Sequence, residues 1–155
     1  MTPAARIRHA SRRDAEALTA LCLAWQGAPG ASDPALLHEL WGQALGDDDS
    51  SVYLAETEDG RALGFVHVTY QARPARLGWR ATIEELHAPG DPEAALRRAL
   101  LEAVVAECRR RADVIALYLI TQPDLEPKLS LEEVYAQLGF RKRGRDVLVW
   151  TGELL

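Results

Sequence analysis

Residues 85–105, ELHAPGDPEAALRRALLEAVV, carry a strand into a long amphipathic helix across one short loop, and this junction constrains the chain more than any other stretch. The first turn of such a helix presents N–H groups without intrahelical partners, and its dipole adds positive potential, so junctions of this kind hold phosphates well. Loops that do so are ordinarily rich in glycine, which lets the backbone approach the ligand closely. Here Gly90 stands alone, followed by Asp91 and Pro92. Pro92 removes an amide donor. Asp91 places a carboxylate where an anion would sit, and a carboxylate there is itself a good helix cap that would compete with a phosphate for the same donors. Arg97 and Arg98, further along the helix, either reach phosphate oxygens or face solvent. The junction reads as an anion site, or as a helix start that has capped itself.

Hydrophobic periodicity assigns the remaining elements. ARIRHA (5–10) alternates as a strand, and Ser11 with Asp14 three residues later opens an amphipathic helix over 12–25. After GAPGAS, Ser32 or Asp33 caps a second helix that has Pro34 in its first turn and ends at the acidic loop containing Asp47, Asp48 and Asp49. Residues 51–70 read as two strands joined at Glu58-Asp59-Gly60, where Gly60 supplies the positive φ of a hairpin turn. QARPARLGW (71–79) reads as a loop and RATIEELHA (80–88) as a fourth strand. The long helix spans about 92–111, with Leu96, Leu100, Ala103, Val104 and Cys108 on one side. DVIALYLI (113–120) is apolar enough for a mid-sheet strand covered on both faces. A loop, a short helix stopped by Gly139 and a last strand over 145–154 complete the order β-α-α-β-β-β-α-β-α-β. That order predicts one α/β domain over residues 1–155, a mixed sheet with helices on both faces.

A formal net charge of −5 argues against a nucleic-acid partner, and no stretch is long and apolar enough to span a bilayer. The N-terminus lacks the apolar run of a signal peptide. Cys22 and Cys108 both fall in helical patterns and read as buried free thiols, which fits a cytoplasmic protein. Four histidines and two cysteines show no metal-ligand spacing, so no zinc site is expected.

The element order, the strand ending ELHAP followed directly by PEAALRRALLEAVVAEC, and the segment VYAQLGF (134–140) together resemble the GCN5-related N-acetyltransferase (GNAT) family. IRHASRRDAEALTALC and the hairpin VYLAETEDGRALGFVHV also look like the family's first and middle segments, so the resemblance covers nearly the whole chain. It implies a largely antiparallel central sheet flanked by helices, splayed between its fourth and fifth strands to admit acetyl-CoA. In the family the loop before the long helix carries Arg or Gln, two residues, Gly, one residue, then Gly or Ala, and its amides hold the coenzyme pyrophosphate. Aligned on RALL, those positions are Pro92, Ala95 and Arg97, all three departures, and the loop is about one residue short. The resemblance assigns coenzyme contacts to the strand backbone at Leu86, His87 and Ala88, to Gly90, and to Arg97 and Arg98.

Acetyl transfer to an amine requires a base for the ammonium and an acid for the departing thiolate. Tyr135 stands where the family often carries a tyrosine acid, although its ring can equally pack beside Leu138 and Phe140. Glu84 and Glu85 are the base candidates. Two adjacent glutamates break the alternation of TIEELHA unless a bulge intervenes, and the resemblance implies such a bulge. With Leu86 and Ala88 inward, Glu84 shares their face and Glu85 goes with Ile83, which makes Glu84 the first choice. His67 and His87 are further candidates, and Trp25, Trp41, Tyr70 and Trp79 either line an acceptor pocket or belong to the core.

Two functions follow. In one, an N-acetyltransferase moves an acetyl group from acetyl-CoA to a small-molecule primary amine, aminoglycosides being one class. In the other, a catalytically silent GNAT-fold protein binds another ligand or protein in the cleft. The resemblance favours the enzyme, while the altered loop favours the silent form. The family's frequent dimers make a homodimer through Val147, Val149 and Trp150 a further expectation.

Overall fold

The structure, a computed structural model, describes residues 5–25, 32–91, 94–120, 131–144 and 148, with the backbone alone at 131 and 132. The elements are β1 (Arg6–His9), α1 (Ala15–Ala24), α2 (Pro34–Gly46), β2 (Ser50–Glu56), β3 (Ala62–Arg73), β4 (Gly78–His87), α3 (Ala95–Arg110), β5 (Val114–Leu119) and α4 (Leu131–Gln137). They form one sheet in the order β1-β2-β3-β4-β5. The first four strands pair antiparallel and β5 lies parallel to β4, joined to it through α3. The expected mixed, largely antiparallel sheet with flanking helices is the one observed.

Local chemistry explains the boundaries. Asp14 Oδ2 accepts the Ser11 N–H at 2.8 Å, closing a capping box at the short 3₁₀ turn that precedes α1. Asp33 caps α2 by accepting the Leu36 N–H at 3.1 Å, with Pro34 in the first turn, so Asp33 rather than Ser32 is the cap. Gly60, at φ +86°, makes the β2–β3 turn. Gly139, at φ +95°, ends α4 with Phe140 N–H donating back to the Tyr135 carbonyl at 2.9 Å. The segment read as a loop over 71–79 is mostly strand: Gln71, Ala72 and Arg73 pair with Arg80, Trp79 and Gly78, and the chain reverses only at 74–77. Arg73 and Arg76 stand at the end of a long hairpin.

Two cores sandwich the sheet. On one face α1 and α2 bury Leu18, Cys22 and Trp41 against Val52, Leu54 and Phe65. On the other α3 buries Leu100, Leu101 and Val104 against Val66, Val68, Ala81 and Ile83. Each of the buried leucines, valines and Ile83 contributes ~1.5–3 kcal/mol of transfer free energy. The anticipated α3 stripe is present, with Leu96, Ala103 and Cys108 packed at its margin. Cys22 and Cys108 are free thiols on opposite faces. No described helix is long and apolar enough to cross a membrane. β5 is the end strand of the described sheet, paired with β4 alone and half-buried over most of its length. The mid-sheet position read for it depends on residues 145–154, which, with the anticipated Val147, Val149 and Trp150 interface, fall largely outside the described residues.

Candidate active site

Strand β4 changes character at Glu84. Val68 pairs with Ile83 and His67 with Glu85, so Glu84 is an extra residue, a β-bulge. The bulge resets the alternation. Ile83 and Leu86 both pack into the α3-side core, while Glu84 and Glu85 both lie toward the α1/α2 face. The Thr69 hydroxyl, on that face between Val68 and Tyr70, donates to Glu84 Oε1 at 2.6 Å. The expectation that Glu84 shares the face of Leu86, with Glu85 beside Ile83, is thereby corrected: strict alternation fails by one residue at the bulge.

Two carboxylates thus stand side by side without a cationic partner among the described residues. Loss of hydration, and then the Glu84 charge, push the Glu85 carboxyl above its ordinary value, although its residue surface stays open to solvent. Burial lowers His67, against the opposing pull of Glu84, and its Nε2 lies 2.8 Å from Ser50 Oγ.

β4 runs on past the end of β5. Their pairing ends at Ile83 and Leu119, whereas β4 continues along β3 to His87 opposite Phe65. The backbone edge over 84–88 that faces away from β3 is left open among the described residues. Gly64 makes the inner side of this stretch possible, because a Cβ there would lie 2.7 Å from the His87 carbonyl oxygen and 2.8 Å from the Ala88 Cβ. The His87 ring is buried on the α1 side and stacks on Trp25 with centroids 4.4 Å apart. Its Nε2 is buried without a hydrogen-bond partner, and burial followed by the Arg97 charge lowers its pKa. Trp41 is core, edge-on to Phe65 at 5.1 Å.

At the head of α3 the question raised by the loop is resolved. Asp91, 9% exposed, accepts the Leu96 N–H at 3.2 Å and the Arg97 N–H at 3.1 Å. The Arg97 guanidinium turns back onto the same carboxylate at 3.5 Å. Arg98 donates to Gln137 of α4. The amide seat for an anion exists, and the chain's own carboxylate holds it. Gly90 is exposed at φ +71° and Ala94 adopts the left-handed region at φ +56°, a conformation that favours glycine. The open edge of β4 suits a pantetheine arm, whereas the head of α3 does not suit a diphosphate while Asp91 remains there.

Tyr135 is buried in the α3-side core, its ring 6.1 Å from that of Phe140. Tyr70 and Trp79 also belong to that core, so neither lines the α1/α2 face as an acceptor pocket would require. Tyr70 instead donates to Glu107, which also accepts from Ser51 Oγ at 3.1 Å and ties α3 to the sheet. Burial and that carboxylate raise the phenol pKa. Glu107 escaped the sequence reading because a glutamate in a helical pattern carries no sign of the strand residues it will meet. The arginines of 73–80 escaped for a related reason: spacing does not show that a turn gathers them.

The chain superposes on a probable acetyltransferase with a TM-score of 0.79 at 20% identity, over 96% of this chain and 99% of that one. It matches AAC(6')-Iy, solved in complex with the bisubstrate analogue CoA-S-monomethyl-acetylneamine, with a TM-score of 0.73 at 17% identity over 95% and 97% of the two chains. Aminoglycoside 6'-N-acetyltransferase AAC(6')-Ih from Acinetobacter baumannii gives a TM-score of 0.70 at 15% identity, over 95% and 97%. No protein-family model and no curated protein matches the sequence. The chain has the GNAT fold.

Proposed function

We propose that this chain is an N-acetyltransferase that uses acetyl-CoA as donor and a small-molecule primary amine as acceptor. The observation that carries the reading is the bulge at Glu84, which sets two carboxylates on the α1/α2 face where the pairing of β4 with β5 ends. Two aminoglycoside acetyltransferases among the structures of like fold support a small-molecule amine.

Acetyl-CoA, when bound, supplies an acetyl thioester whose carbonyl carbon accepts the amine nitrogen as the C–S bond breaks. Glu85 takes a proton from the acceptor ammonium, because a carboxylate with a raised pKa is a stronger base than an ordinary one. Glu84, held by Thr69, draws the ammonium into place. The open amides and carbonyls over 86–88 hold the pantetheine arm by backbone hydrogen bonds, so their side chains matter little. Tyr135 returns a proton to the departing thiolate. His87 is less suited as base, since its ring is enclosed against Trp25.

Calorimetric titration with acetyl-CoA, followed by thiol release with a panel of amines, tests this directly. Binding together with an amine-dependent thiol signal that Glu85→Gln and Tyr135→Phe each reduce supports the reading. Absence of binding at millimolar coenzyme sinks it in favour of a silent GNAT-fold protein.

A further inference from the structure

The hairpin end of β3 and β4 carries a feature that acetyl transfer alone does not use. Arg73, Arg76, Arg80 and Arg143 surround a cavity of about 250 Å³ together with Ile115, Ala116 and Tyr118. Three arginines elsewhere have acidic partners: Arg6 and Arg8 pair with Glu56, Arg8 with Asp14, and Arg97 with Asp91, while Arg98 and Arg110 donate to the neutral Gln137 and Tyr53. Around this cavity no arginine has a carboxylate partner among the described residues. Arg80 donates to the neutral Gln71 carbonyl and its Nε is buried without an acceptor, while its guanidinium lies 5.5 Å from the Tyr118 ring centroid. Four cations drawn round one cavity in a chain of net charge −5 repel one another, and an anion among them removes that cost. Arginine is also the side chain best matched to carboxylate and phosphate oxygens.

Position gives the cavity its meaning. Ala81 and Ile83 face the α3-side core, so Arg80 and Thr82 face the other way. Tyr118 stands opposite Thr82 and Ala116 opposite Arg80. The bulge then adds Glu84 and Glu85 to the same face. Along β4 this face is therefore cationic at Arg80 and anionic at Glu84, roughly 13 Å further on at ~3.3 Å per residue.

We infer that the acceptor is dipolar, a small primary amine carrying a carboxylate or phosphate, whose anionic end sits among Arg73, Arg76, Arg80 and Arg143 while its amine reaches Glu84 and Glu85. The amine end rests on the acetyltransferase reading; the anion pocket does not. The arrangement disfavours polycationic acceptors, since an aminoglycoside would bring ammonium groups to the arginines.

The test uses molecular rulers in calorimetry without coenzyme: 8-aminooctanoate and 6-aminohexyl phosphate against 1,8-diaminooctane and kanamycin. The anionic amines are expected to bind at least tenfold more tightly than the diamine and kanamycin. Arg76→Gln with Arg143→Gln, both at exposed positions, should erase that preference, while the charge-matched pair Arg13→Gln with Arg109→Gln, exposed and away from the cavity, leaves it intact. Equal or tighter binding of the cationic probes, a preference untouched by the paired substitution, or no binding of either anionic probe at millimolar concentration overturns the pocket. Thiol release with acetyl-CoA separates the two ideas. Arginine-dependent binding without release sustains the pocket and removes the transferase reading. Release on kanamycin, indifferent to the arginines, does the reverse.

Discussion

Replacing Asp91 with alanine should weaken the fold and strengthen coenzyme binding at the same time. The carboxylate holds two α3 amides at 3.1–3.2 Å and the Arg97 guanidinium at 3.5 Å. Loss of a helix cap of this kind costs about 0.5–2 kcal/mol, which lowers the melting temperature by ~2–4 °C per kcal/mol in a chain of this size. A diphosphate entering the wild-type seat must first displace the carboxylate and then remain near its charge. Hydrogen bonds to charged groups are worth about 1.5–3 kcal/mol, and the displaced carboxylate recovers part of that from water. A gain of ~1–3 kcal/mol remains for the variant, or roughly 5- to 150-fold in Kd. Calorimetry with CoA and with pantetheine, which has no phosphate, separates this cause from a general loosening of the cleft. CoA should tighten and pantetheine should not. Unchanged CoA affinity in a folded Asp91→Ala protein, or equal gains for both ligands, would refute the argument that Asp91 occupies the phosphate seat.

Three further expectations follow from the same geometry. Glu85 titrates above its ordinary value of 4.5, so kcat/KM should rise with pH through a limb displaced upward from 4.5, and Glu84→Gln should move that limb down by removing the neighbouring charge. Glu85→Gln should cut turnover by ~10²–10⁴-fold as expected for loss of a general base. It should also raise the melting temperature at pH 7, since a carboxylate harder to ionise in the folded state than in the unfolded one opposes folding once the pH exceeds 4.5. Asp14 is the opposite case: its bond to Arg8 holds it down to about 2 from 3.8. It therefore stabilises the fold by about 2 kcal/mol above pH 4, and this contribution is lost as the pH falls through 2. Asp14→Asn should flatten that part of the acid-denaturation curve. At Gly64 a methyl group would meet the His87 carbonyl at 2.7 Å, so Gly64→Ala should destabilise by ~1–3 kcal/mol through overpacking, measured by urea titration, and should weaken pantetheine binding as the β4 edge shifts.

Periodicity and punctuation suffice for the architecture because they are local. The α3 stripe of Leu96, Leu100 and Val104, the Asp33 cap with Pro34 after it, and the left-handed glycines at 60 and 139 each act within one or two turns of chain. Their order limits the arrangement to a sheet covered on both faces. The capping role of Asp91 was legible for the same reason, since a carboxylate finds its own helix start wherever the remainder of the fold lies. Choices that depend on partners distant in sequence are of another kind. That Glu84 and Glu85 share a face depends on β3 pairing past an inserted residue, and two adjacent glutamates fit a bulge or a solvated edge equally well. The meeting of Arg73, Arg76, Arg80 and Arg143 around one cavity requires β3 to run on to Arg73, β5 to lie parallel to β4, and the chain to return past α4. Local propensity decides the elements and their caps; which charges face each other across strands is decided only when the sheet closes.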